Sequence, residues 1–167
     1  VGVRSGRTAP PPVAVVNWPV PLDPEIPETK IRRQYFRVAV DALERAGVQV
    51  KVLTRPDVLA GRLGEYRVVV FPYVHFMDAV AERAVIRYIE EGGKVIACHE
   101  IPPGLAAALG VVVTGRTSER ARQRFYRCVL VPPGVRGAPS SFVQHSWHIC
   151  YAIPQGHRAR VLYRWHD

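Results

Sequence analysis

The chain has 167 residues, 48% of them apolar, and a formal charge of +9, which is enough for one domain with a real core. No apolar run is long enough to cross a bilayer as a helix, so membrane partners are set aside. Only three of the 23 basic residues are lysines (Lys30, Lys51 and Lys94), and the arginines are mostly scattered, which favours a solvated basic face or an anionic partner over nucleic acid.

The first dozen residues, with "RTAPPP" and no initiator Met, lack the apolar core of a signal peptide. They read as an arm or linker over residues 1–12, followed by a single domain over 13–167. "VAVVNW" (13–18) is a short, fully apolar run that breaks at Asn17, Trp18 and Pro19, the pattern of a buried parallel strand. "PVPLDPEIPET" holds four prolines in eleven residues and reads as a loop carrying Glu25 and Glu28. Thr29 is placed to cap a helix from Lys30 to Ala46, with Ile31, Tyr35, Val38, Ala39, Ala42, Leu43 and Ala46 on its apolar face. Gly47 stops it.

"VQVKVL" (48–53) and "RVVVFP" (67–72) are the next strands, joined by a connector with room for one short helical turn. "YVHFMD" is a loop. A helix from Ala79 to Glu91 follows, with Val80, Ala84, Val85, Tyr88 and Ile89 inward, and Gly92 and Gly93 end it. "KVIAC" (94–98) is a fourth strand, "PPGLAAALG" a short helix with prolines at its start, and "VVVTG" (111–115) a fifth strand. Beyond Gly115 the helical signal fades. "GRTSERARQRFYR" (115–127) carries five arginines but no nucleic-acid motif. Three later strand-like stretches are divided by Pro/Gly turns and are expected to extend the sheet, some of them antiparallel. The closing "RARVLYRWHD" stops without a turn or cap, which suggests a piece of a longer protein.

Alternating strands and helices imply right-handed βαβ units. The expected fold is α/β: a three-layer α/β/α sandwich with a mostly parallel, doubly wound, flavodoxin-like sheet, and extra strands at the C-terminal end. With strand order 2-1-3-4, the ends of strands one, three and four lie side by side, where such folds bind ligands. Those ends carry Asn17 and Trp18, then Tyr73 and His75, then Cys98, His99 and Glu100. Asn17, Trp18, Tyr73, His75 and His145 are therefore candidate pocket residues for a small molecule or sugar, and Cys98, His99 and Glu100 candidate catalytic residues.

A cysteine nucleophile needs a lowered pKa from a helix N-terminus or an imidazolium. His99 is adjacent and points elsewhere, so the partner base would be His75 or His145. Ala97 suits a strained elbow, whereas Glu100 stands where glycine would ease one. The bland alternative is an inert thiol at a strand end. The three cysteines (98, 128 and 150) contain no CxxC pair, which argues for a reducing, cytoplasmic setting without disulfides. Cys128 and Cys150 read as core thiols. His145 and His148 have no cysteine pair at zinc-finger spacing, so neither a metal nor a cofactor is expected. Trp18 and Trp147 could form a sugar-stacking surface, but packing suits each better.

"VAVVNW", "ALERAGVQVKVLTRPDVLAGRLGEYRVVVFP", "VIRYIEEGGKVIA" and "PPGLAAALGV" together resemble the class I glutamine-amidotransferase-like domain found in the middle of trimeric β-galactosidases. The likeness covers residues 13 to about 113, and "GHRARVLYRWHD" resembles a late strand of the same domain. It implies a domain without the amidotransferase triad that serves in assembly, as a trimer or dimer or with other domains of a longer chain. "VIACHEIPPGLAAALG" is also similar to the elbow of the PfpI-type superfamily, which implies Cys98 as nucleophile of a hydrolase or amidotransferase-like enzyme. Against that pattern, "PYV" replaces the glycines after the third strand and Glu100 replaces a glycine; against the looser likeness of this stretch to true glutamine amidotransferases, the late "VQHSW" lacks a Pro-Glu after His145.

Overall fold

A computed structural model describes residues 12–18, 27–74, 76–99, 101–117, 127–143, 149–156 and 159–166. By contacts the chain divides into two compact units, Val1–Pro102 and Pro103–Asp167.

The first unit is built on four parallel strands: β1 (Val13–Asn17), β2 (Val50–Thr54), β3 (Val68–Phe71) and β4 (Lys94–Ala97), in the order β2-β1-β3-β4. Three helices join them: α1 (Pro27–Arg45), α2 (Arg55–Leu59) and α3 (Ala79–Glu90). β1 is central, and its Ala14, Val15 and Val16 are buried, which is why its sequence is an unbroken apolar run rather than an alternating one. The crossover from β1 to β2 runs one way along the sheet and the next two run the other way. Right-handed connections therefore put α1 on one face and α2 and α3 on the opposite face, and α2 packs against α3. The order reverses between β1 and β3, so the switch point lies at their carboxyl ends.

Local details differ from the sequence expectation. α1 starts at Pro27, so Thr29 and Glu28 belong to its first turn instead of a cap and a loop. Proline is suited to that opening position because its missing N–H would have no partner there. Val38 of α1 is 56% exposed, and the one buried side chain described on this helix is Arg32. On α3 the buried stripe is Ala81, Val85 and Tyr88, while Val80 is 57% exposed. The stripe steps by four and three residues, as a single helix face must, and Val80 falls off it.

α3 begins at Asp78, whose carboxylate accepts hydrogen bonds from the Val80 and Ala81 amides at 3.2 and 3.1 Å. The same carboxylate accepts from Arg55 Nε at 2.9 Å, which ties α2 to the start of α3. α3 ends at Glu90 with Glu91 as its cap; Gly92 follows in the left-handed region at φ 93°, and Gly93 returns its N–H to the Tyr88 carbonyl at 2.9 Å.

The second unit contains α4 (Pro103–Ala108) and five strands: β5 (Val111–Thr117), β6 (Arg127–Leu130), β7 (Ser141–Val143), β8 (Ile149–Pro154) and β9 (Tyr163–His166). β5 pairs antiparallel with β8, and β6 lies between β7 and β9, also antiparallel. The later strands were expected to be partly antiparallel, which they are, and to extend the first sheet. Among the described residues they form two separate ladders instead, because a β-branched run specifies a strand without specifying its partner. Cys128 is buried as expected, whereas Cys150 is only half-buried.

Candidate functional site at the strand ends

The observed order is the one that brings the ends of β1, β3 and β4 together. β1 pairs with β3 through Ala14–Val69 and Val15–Val70, and β3 with β4 through Phe71–Ala97. Continuing both registers sets Trp18, Tyr73 and His99 side by side just beyond the sheet. Trp18 is buried, the packing role foreseen for it, and Asn17 is exposed at the end of β1.

Cys98 follows β4 directly, and its amide still donates to the Phe71 carbonyl at 2.9 Å, as a ladder residue would. The residue is exposed, yet the protein mass around its sulfur desolvates the thiolate and raises the thiol pKa above its ordinary value. That is the opposite of the shift an activated nucleophile needs. The left-handed turn comes one residue later. His99, at φ 67°, is the one described non-glycine residue with positive φ. Side chains rarely adopt this conformation, and it costs on the order of 1–2 kcal/mol.

The turn carries the His99 ring into a cluster that the sequence did not reveal. The ring lies 4.7 Å from that of Tyr73 and 5.4 Å from that of Tyr35, centroid to centroid. Tyr35 and Tyr73 stack at 5.9 Å with 13° between their planes. Over Tyr73 sits Arg32, its guanidinium carbon 4.9 Å from the ring centroid. Arg32 and Tyr35 stand three residues apart on α1 and so share a face. That spacing in the helix after the first strand was the available signal, but Tyr35 read as core and Arg32 as one of many solvated arginines.

Arg32 is 8% exposed, and its Nε and Nη1 are buried without a hydrogen-bond partner among the described residues. Burial pulls its pKa below the ordinary value, partly opposed by Tyr73. Of the other sequence candidates, His75, Glu100 and His145 lie outside the described residues, as do Glu25, Trp147 and His148. Among the described residues no group of three His, Cys, Asp or Glu side chains could hold a metal ion, and no helix is long and apolar enough to cross a membrane.

No protein-family model and no curated protein sequence matches the chain. Solved structures do. One is a ThuA-like protein from Bacteroides uniformis, with a TM-score of 0.65 at 15% identity over 99% of this chain and 71% of that one. Another is Gan42B, a GH42 β-galactosidase, with a TM-score of 0.64 at 12% identity over 95% of this chain. The likeness is one of fold. The chain spans 24% of the length of the β-galactosidase.

Proposed function

We propose that this chain is a non-catalytic glutamine-amidotransferase-like domain with an assembly or accessory role in a carbohydrate-active protein. The observation that carries the reading is the left-handed turn at His99, one residue beyond Cys98. A nucleophile elbow puts its nucleophile at the tip of the strained turn. Here the tip is an imidazole packed against Tyr73 and Tyr35, and the thiol beside it has a raised pKa. The fold shared with part of a β-galactosidase supports the carbohydrate setting. Exposed Phe142 and Trp165, which both stand opposite Cys128 and so share one face of the β7-β6-β9 ladder, support an assembly role, since neighbouring exposed apolar side chains on one sheet face mark association surfaces.

Two measurements test this. Alkylation of Cys98 by iodoacetamide should be slow at pH 7, with a midpoint above that of free cysteine; fast alkylation at neutral pH returns Cys98 to the role of nucleophile. Light scattering should find an oligomer, and a clean monomer removes the self-assembly role.

A second reading, recognition of a small molecule at the strand ends, is favoured by the Arg32, Tyr35, Tyr73 and His99 cluster. It is compatible with the first, because a domain without chemistry can still bind.

A further inference from the structure

Arg32 holds an energetically unfinished position. A guanidinium presents five N–H donors in its plane and has no neutral form within reach at physiological pH. Taking such a cation out of water is costly unless its donors are matched. The guanidinium carbon lies 4.9 Å from the centroid of the Tyr73 ring, a cation–π contact. That contact supplies no acceptor, and Nε and Nη1 are both buried without one among the described residues. A residue of this type is almost never fully buried unless paired. The missing element is negative charge in the guanidinium plane.

The surroundings say where that charge would come from. The cluster stands at the switch point, the usual ligand position of this fold class. α1 returns antiparallel to the strands, so its positive N-terminal end faces the same edge of the sheet. His99 is exposed, and Tyr35 and Tyr73 are half-buried, so the cluster opens to solvent at His99. Three rings with centroids 4.7 to 5.9 Å apart offer flat apolar surface to the body of a ligand.

Resting on the reading of the strand ends as a recognition site, we infer that its ligand is a small organic anion. Its carboxylate or phosphate pairs with Arg32, and its ring or carbon skeleton lies against Tyr35, Tyr73 and His99. The anion enters from the His99 side, and the long Arg32 stem rotates to meet it. Binding then completes the hydrogen bonding of a side chain that the unliganded protein leaves unmatched.

The test is calorimetric titration of the full chain with glucuronate, glucose 6-phosphate and glucose, which share a pyranose ring and differ in charge. At least one of the two anions should bind at least about tenfold more tightly than glucose, the worth of a charge-assisted hydrogen bond; which anion it is separates carboxylate from phosphate. Arg32→Met should lose that advantage while keeping its circular dichroism and melting temperature, and Arg32→Lys should recover part of it. Glucose binding as tightly as both anions overturns the anion inference but leaves the recognition site standing. Anion binding undiminished in Arg32→Met also overturns it. If none of the three probes binds, the inference and the recognition reading fall together.

Discussion

Arg32 lies over the Tyr73 ring, with 4.9 Å between the guanidinium carbon and the ring centroid, yet its buried Nε and Nη1 meet no acceptor among the described residues. The contact is a modest gain, about 0.5–2 kcal/mol, set against the desolvation of a charge without a counter-ion. In unliganded protein, Arg32→Met should therefore leave thermal stability unchanged or raise it. The methionine stem fills the same space and brings no donors to satisfy. Thermal melts check this. A fall of several degrees would show that Arg32 is a structural residue with a partner in the folded chain.

His99 allows the backbone and the side chain to be weighed separately. At φ 67° the residue suffers the crowding of its Cβ that glycine avoids. His99→Gly and His99→Ala both delete the ring and its contacts with Tyr35 and Tyr73. Alanine also keeps the Cβ. His99→Gly should be the more stable of the two by about 1 kcal/mol, measured by urea denaturation. Equal stabilities would mean that the turn relaxes once the ring is gone.

These two residues mark the boundary of what the sequence revealed. The four parallel strands were legible because β-branched runs ending at Pro72 or starting after the Gly92-Gly93 pair have few other uses. The order β2-β1-β3-β4 placed Trp18, Tyr73 and His99 in one neighbourhood. The turn itself was hidden, since a left-handed residue without glycine leaves no mark, and strain was weighed only at Cys98, against an inert strand end. Arg32 was hidden for a different reason. Composition treats an arginine as solvated, and nothing local distinguishes the buried one from the exposed ones. The start of α1 was misplaced because Thr29 gives a strong capping signal, while Pro27, two residues earlier, is equally suited to a first turn.

The Gly-Gly pair after α3 was read as a stop, and the structure gives its halves different tasks. Gly92 takes the left-handed conformation. Gly93 is needed for space, because a Cβ there would fall on the ring of Tyr88. That ring is buried, and its hydroxyl donates to the Tyr66 carbonyl at 2.9 Å, so it cannot move aside freely. Gly93→Ala should cost about 1–3 kcal/mol, the usual scale for overpacking a filled core. Tyr88→Phe, which keeps the ring and removes the hydrogen bond, should cost about 1 kcal/mol. Urea midpoints should fall with unchanged slopes in both variants. A neutral Gly93→Ala would show that the ring has room to withdraw.

Asp78 combines a helix cap with an ion pair, and pH separates the two. Its carboxyl is held below the usual carboxylate range, first by the hydrogen bond from Arg55 and then by the Ala81 amide. A group whose pKa is lower folded than unfolded stabilises the fold fully above the unfolded value, near 3.9. It loses that contribution as pH falls through the folded value. At pH 7, Asp78→Ala should cost about 1 kcal/mol through loss of the cap. Asp78→Asn keeps a capping oxygen and gives up only the partly exposed pair with Arg55, so it should cost less, about 0.5 kcal/mol. Below pH 4 the wild-type advantage over Asp78→Asn should shrink as the carboxyl takes up its proton. Melting temperatures of the three proteins between pH 7 and pH 3 make the comparison. A gap between wild type and Asp78→Asn that stays constant with pH would mean that the Arg55 contact contributes nothing.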